Sequence, residues 1–288
     1  MPELLQTPKD PNLIFDVGLH RGQDSDYYLK KGFRVVAFEA DPENAAFCRE
    51  RFAAEIGDGR LTIIEGAITE ELLPNGEAGT VRFFRNEDHS LWGSTSVDWA
   101  VRNNVMGTTH EIITVKAVDF AKCLETYGVP HYLKADIVGS ESICLRALLN
   151  FANRPDYISI RSEKVIFQRL EEEFELLERL GYNAFKAIKQ DFHRIHPELP
   201  TTNGAKRHTF EDGASGPFGE DSPGRWAGRS QVIRAYQRIF IKYWLFGDYS
   251  YLIQTERGRK FIAQMERVVR GSIPGWYDTH ARHRTVES

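Results

Sequence analysis

The stretch Asn12-Leu-Ile-Phe-Asp-Val-Gly-Leu-His-Arg-Gly22, followed by Val35-Val-Ala-Phe-Glu-Ala-Asp-Pro42, decides the fold. An apolar strand runs into Asp16 and a glycine bend. A second apolar strand then ends in Glu39, about 20 residues past the bend, where nucleotide-binding α/β folds place a ribose-binding acid. Gly18 and Gly22 supply the turn conformations that such a bend requires. Asp41 and Pro42 read as a helix N-cap and a first-turn proline.

The glycine spacing selects among nucleosides. A dinucleotide fold uses G-x-G-x-x-G, whose second glycine lets the backbone touch a pyrophosphate. Here His20 stands where that glycine belongs, and a bulky residue leaves little room for a pyrophosphate. S-adenosylmethionine carries none, so it is the expected cofactor, with Glu39 taking both ribose hydroxyls. A nicotinamide-dependent dehydrogenase is disfavoured on the same ground.

The chain has 288 residues, 41% hydrophobic and 27% charged, which suits one large α/β domain with additions or two small domains. A net charge of −4 argues against a general nucleic-acid binder, which needs a broad basic footprint. No apolar run is long enough to span a membrane, and Met1-Pro-Glu-Leu-Leu-Gln lacks the basic and apolar parts of a signal peptide. The expected location is the cytoplasm. Cys48, Cys123 and Cys144 read as small buried fillers in a reducing compartment.

Strand and helix signals alternate through the first two-thirds, the pattern of a doubly wound, mostly parallel, seven-stranded α/β sheet. Strands are expected near 12–17, 33–38, 61–65, 112–117, 131–137, 155–160 and 183–189. The clearest helix runs from Val165 to Leu180, with Leu170, Phe174 and Leu177 on its apolar face and Gly181 as its stop. Thr80-Val-Arg-Phe-Phe reads as an edge strand and Asp88 to Ser96 as a surface loop. Residues 1–190 form the expected cofactor domain. Residues 191–230, rich in glycine and proline and carrying Phe210, Phe218 and Trp226, read as a lid. Residues 231–288 read as a helical C-terminal extension whose apolar helices offer a homodimer surface. Between 229 and 284 stand 11 Lys or Arg against 4 Asp or Glu, a local excess that suits a solvated helical face or an anionic partner.

The block Phe15 to Pro42 resembles the opening of FkbM-type methyltransferases, a class I S-adenosylmethionine-dependent family with a Rossmann-like sheet. The likeness continues through Glu65-Gly-Ala-Ile, the serines after His89, Leu133-Lys-Ala-Asp-Ile137 and Pro155-Asp-Tyr-Ile-Ser-Ile160. It implies that Asp16, Gly18, His20 and Gly22 face the methionine end of the cofactor, Glu39 and Ala40 the ribose, and Gly66 and Ala67 the adenine. The sequence departs from the family at two strand ends. Val138-Gly139 stands where the family has Glu-Gly, and Arg161 stands where Ser-Ile-Glu is expected. Both changes make the pocket edge less acidic.

Methyl transfer is an in-line displacement in which positioning does most of the work, and a hydroxyl acceptor must also lose its proton. Candidates for that proton are Asp136, His89 and His280; Arg161 and Ser96 are the candidate substrate contacts. His193 and His196 with Asp191 make too small a set for a metal, and none is expected. The expected activity is O-methylation of a small-molecule acceptor, with Arg161 favouring an anionic one. A non-catalytic cofactor-binding or interaction module is the alternative, motivated by Val138 and Arg161.

Overall fold

The computed structural model describes residues 3–70, 79–190, 198–199, 208–247, 250–269 and 272–286. The chain divides into two compact units, Met1–Ile160 and Arg161–Ser288.

In the first unit the expected β-α alternation is realised. Strands β1 (Lys9–Val17), β2 (Arg34–Glu39) and β3 (Leu61–Glu65) pair in parallel, and a two-residue β4 (Ala67–Ile68), β5 (Thr80–Asn86) and β6 (His110–Val118) follow. Then come β7 (Val129–Ala135) and β8 (Tyr157–Arg161), which continue the parallel run in the order β3-β2-β1-β7-β8. Strands covered on both faces must be apolar throughout; Leu13, Ile14, Phe15, Val35, Val36 and Leu133 are accordingly inaccessible to solvent. Phe15, Phe38 and Phe120 close one layer, with ring centroids 5.4–5.9 Å apart.

Helix α1 (Gln23–Lys30) begins at Gly22, and α2 (Pro42–Arg51) begins at Asp41, whose carboxylate accepts the Glu43 amide at 2.9 Å. The cap and the first-turn proline are those expected from sequence. Short α3 (Ala53–Gly57), α4 (Val97–Val105), α5 (Phe120–Tyr127) and α6 (Glu141–Leu148) complete the unit. The strand expected at 112–117 is present as β6, but it pairs with β4 and β5 in a separate three-stranded sheet.

The second unit contains α7 (Phe167–Arg179), β9 (Tyr182–Lys189), the two-residue strands β10 (Glu198–Leu199) and β11 (His208–Thr209), and α8 (Arg229–Phe246). After these come α9 (Tyr251–Gln254), α10 (Glu256–Val269) and β12 (Tyr277–His283). As read from sequence, α7 buries Leu170, Phe174 and Leu177. Strand β12 is a correction to the helical extension: it pairs antiparallel with β9. Tyr-Asp-Thr-His-Ala-Arg-His lacks the apolar alternation by which strands are recognised, yet six of its seven residues are buried. With β9 and β12 the two units hold five parallel strands and an antiparallel pair. Of the residues read as a lid, Phe210 and Phe218 are buried within the second unit. His193, His196 and Asp191 lie outside the described residues. Among the described residues no helix is long and apolar enough to cross a membrane.

Candidate cofactor and active site

The bend after β1 is fixed from every side. Gly18 has φ of 94°, and any Cβ there would collide with the Asp136 carbonyl oxygen, so the position admits glycine alone. The amides of Gly18 and Leu19 donate to the Phe38 carbonyl at 3.1 and 2.9 Å, and the Gly22 amide donates to Leu19 O at 2.9 Å. The bend's carbonyls are equally engaged. Lys134 Nζ donates to Gly18 O at 3.3 Å, Cys48 Sγ to His20 O at 3.2 Å, and Arg51 to Arg21 O at 2.9 Å. Backbone polar groups need such partners when buried, and satisfying them here leaves a preformed cradle.

Glu39 at the end of β2 completes the cradle. Its Oε2 accepts the His20 amide at 2.6 Å and its Oε1 accepts the Asp41 amide at 2.8 Å. No cation among the described residues pairs with it, and burial pushes its carboxyl up to about 7 despite those amide bonds. The Glu39 carbonyl in turn accepts the Gly66 amide at 2.8 Å, tying β3 to the same edge. Gly66 has φ of 145°, and a Cβ there would collide with the Lys116 carbonyl, so the position needs glycine. Ala40 and Ala67 pack into the small core of Phe83 and Val115.

Beneath the bend lies a charged cluster. Lys134 Nζ sits 3.1 Å from Asp16 Oδ1 and 3.1 Å from Asp24 Oδ2, with all three side chains at most 5% exposed. Ser25 Oγ donates to the other Asp16 oxygen at 2.7 Å. Burial works against the Lys134 ammonium, but Asp16, Asp24 and Asp136 outweigh it and hold it well above the ordinary lysine value. Burial pushes the Asp16 carboxyl up, against the pull of Lys134.

His20 occupies the bend with φ of 51°. Its Nε2 lies 2.8 Å from Ser90 Oγ, and its Nδ1 lies 3.1 Å from the Gln23 amide nitrogen. Burial holds the imidazole below 6.5, with Arg21 and Lys134 adding to the effect while Gln23 and Asp136 oppose it. The ring is therefore neutral at pH 7. Asp136 follows β7 and donates its amide to Val17 O at 2.9 Å.

The loop after β5 docks on the loop after β7. Ser94 Oγ donates to Val138 O at 2.7 Å, Thr95 Oγ1 lies 3.2 Å from Ser140 Oγ, and the Ser96 amide donates to Ser94 Oγ at 2.9 Å. Val138 has φ of 23°, a strained value for a β-branched residue. His89 is exposed, its ring 4.4 Å from that of Trp92.

Asp16, Gly18, His20, Gly22, Glu39, Ala40, Gly66, Ala67, Ser96, His89 and Asp136 thus all belong to the first unit. Arg161 and His280 belong to the second. The Arg161 guanidinium lies 5.1 Å over the Trp276 ring, and His280 is 2% exposed on β12. Sequence reading missed Lys134, Ser90 and Arg85. Arg85 Nη2 donates to Asp41 at 2.8 Å and Nη1 to Glu43 at 2.9 Å, fastening the start of α2. A signal existed for Lys134: a lysine inside an apolar parallel strand must find buried carboxylates.

The chain belongs to the FkbM methyltransferase family. The family model described as Methyltransferase FkbM domain matches residues 16–190. Among curated proteins the chain is 42% identical over 74 residues to "Probable ribosomal RNA small subunit methyltransferase A" of Haloquadratum walsbyi, covering 26% of this chain and 25% of that protein. It is 39% identical over 66 residues to the protein of the same description from Haloarcula marismortui, covering 23% of each. The chain thus spans about a quarter of the length of the curated relatives it matches. A solved structure of phosphoethanolamine N-methyltransferase 2 from Haemonchus contortus aligns over 96% of this chain and 49% of its own, at 10% identity and a TM-score of 0.37. A putative sarcosine dimethylglycine methyltransferase from Galdieria sulphuraria aligns over 96% and 78%, at 9% identity and a TM-score of 0.38.

The residues at the glycine bend of the first unit have the chemistry expected of an S-adenosylmethionine site. A buried carboxylate with no counter-cation among the described residues, steadied by two backbone amides, suits a pair of ribose hydroxyls. The bend beside it carries a histidine at φ of 51°, its ring hydrogen-bonded to Ser90 and Gln23, where a dinucleotide fold would have glycine.

Proposed function

We propose that the protein methylates a hydroxyl oxygen of a small molecule, with His20 accepting the hydroxyl proton. The observation that carries this reading is the Ser90 hydroxyl, 2.8 Å from Nε2 of an imidazole that burial keeps neutral. A hydroxyl group fits at that nitrogen, beside the bend that would hold the cofactor. An amine acceptor with a free lone pair would need no such base at the moment of transfer.

S-adenosylmethionine supplies a methyl group on a sulfonium, an electrophile that needs no metal. Glu39 would take the ribose hydroxyls, while Gly18, Gly22, Ala40, Gly66 and Ala67 would shape the surface for the rest, and Asp16 supports the bend through Lys134. With cofactor bound, the acceptor oxygen would take the methyl group as the sulfur–carbon bond broke. Its proton passes to His20 Nε2, and Asp136, which favours the charged ring, steadies the imidazolium. Charge would balance, the His20 imidazole taking up the one proton the acceptor gives while the cofactor loses its positive charge.

His20→Ala should lower kcat about a hundredfold, within the usual range for a lost general base, and leave cofactor affinity within a few-fold. The wild-type acidic limb of kcat/KM should lie below pH 6.5, because burial lowers the His20 value. An unchanged kcat in the variant would remove His20 from the chemistry. The acceptor class is tested by incubating a cell extract with methyl-labelled cofactor and separating metabolites from RNA. Label confined to the RNA fraction would overturn the small-molecule reading in favour of the activity named for the relatives.

A further inference from the structure

The second unit holds a buried group that the chemistry above does not use. Gln190, directly after β9, is 3% exposed, and among the described residues neither its side-chain nitrogen nor its oxygen has a hydrogen-bond partner. Its backbone is engaged, the amide donating to Trp276 O at 2.8 Å. Native proteins leave few buried amides unsatisfied, and each one calls for a reason, such as a ligand that completes it.

Its surroundings are polar too. The register of β9 and β12 pairs Tyr277 with Lys189, which sets Gln190 opposite Trp276, and residues so opposed share a face of the sheet. The Arg161 guanidinium lies 5.1 Å over the Trp276 ring, and Trp276 Nε1 donates to Asp278 Oδ1 at 3.0 Å. Farther along this face stand His280 and Lys186, paired in register and both buried. Lys186 is satisfied: its Nζ donates to Ser222 O at 2.8 Å and Ser222 Oγ at 3.0 Å, and it lies 4.2 Å over the Trp226 ring. The other face is ordinary core, where Thr279 meets Tyr236 at 2.6 Å and Phe185 packs on Phe174. Gln190 therefore marks an end of this buried polar face where, among the described residues, both polar atoms of a carboxamide are left to be satisfied.

We propose that Gln190, with Trp276 and Arg161, forms a ligand site of the second unit that takes a neutral small molecule through a group able both to donate and to accept, a hydroxyl or an amide. The carboxamide decides the class. It offers two donors and an accepting oxygen; a carboxylate or phosphate would satisfy the nitrogen and strand the oxygen, whereas a hydroxyl or amide satisfies both. The choice of a hydroxyl compound as first probe rests on the O-methylation reading, and the site itself does not.

The test uses the full chain and Gln190→Met, which keeps side-chain length and removes the polar atoms. Without ligand, the variant should melt about 2–4 °C above wild type, because a stranded amide has been removed. Titration of labelled wild type with myo-inositol should shift the Gln190 side-chain and Trp276 indole resonances saturably, and the indole of Gln190→Met should not respond. A variant that melts no higher than wild type, or no saturable shift with myo-inositol, overturns the proposal; saturation by glucuronate alone overturns the neutral class. Label transfer from cofactor into hydroxyl compounds, measured with both proteins, separates the two readings. Its absence sinks O-methylation and leaves the resonance shifts of Gln190 to be judged by themselves.

Discussion

Replacing Lys134 with methionine should cost about 3–5 kcal/mol of folding stability, the usual penalty for removing one partner from a buried charge cluster. Lys134 is the ammonium between Asp16 and Asp24, and all three side chains are at most 5% exposed. Without it, two carboxylates face each other out of water. One escape is protonation, so the loss should be larger at pH 8 than at pH 5, where a carboxyl whose value has been raised by burial and by its neighbour can take up a proton. Wild type should differ: its lysine, held above the ordinary value, stays charged throughout that range. Urea melts of both proteins at the two pH values measure the effect. Asp16→Asn placed in the Lys134→Met background should recover part of the loss, since it removes the stranded charge. The cofactor site should suffer as well, because Lys134 also holds Gly18 O. A loss below 1 kcal/mol, equal at both pH values, would mean that water reaches the cluster.

What sequence reveals here follows from how locally each feature is encoded. Strands β1, β2 and β7 are unbroken apolar runs because both faces are covered, and α7 carries a clean apolar stripe; such patterns need no knowledge of partners. Strand β12 is invisible for the opposite reason. Asp278, Thr279 and His280 look like surface residues until Trp276, Tyr236 and Ser162 are brought to them by the fold. Glu39 was legible by its distance from the glycine bend, but the two amides that steady it come from the turn geometry at His20 and Asp41. His20 was legible as a bulky intruder among glycines. Its partner Ser90, 70 residues away, was not. Arg161 was legible from sequence as a candidate ligand contact. In the structure its guanidinium lies 5.1 Å over the Trp276 ring, a residue far along the chain that sequence alone could not bring to it.

Glu39→Ala should weaken cofactor binding by about 3–6 kcal/mol, a factor of roughly 10² to 10⁴, if the carboxylate takes two ribose hydroxyls at about 1.5–3 kcal/mol each. Truncation also strands the amides of His20 and Asp41, so Glu39→Gln, which keeps one accepting oxygen and the side-chain volume, is the variant that isolates the charge. The pH dependence separates the two roles. Burial raises the folded carboxyl from 4.5 to about 7, so the folded chain binds this proton more tightly than the unfolded chain. The associated stability is therefore fully present below pH 4.5 and is lost as pH rises through 7, about 3 kcal/mol in all. Cofactor affinity should run the other way, because hydroxyl donors favour the ionised carboxylate. In wild type it should be about tenfold weaker at pH 6 than at pH 8, and binding at pH 6 should release a proton, measurable by calorimetry in buffers of different ionisation enthalpy. Glu39→Gln should bind weakly with no pH dependence and should not show the stability loss between pH 4.5 and 7. Affinity in Glu39→Ala within threefold of wild type would remove the ribose from Glu39. A wild-type profile as flat as that of Glu39→Gln would show that the carboxylate is already ionised at pH 6, held there by its two amides against the cost of burial.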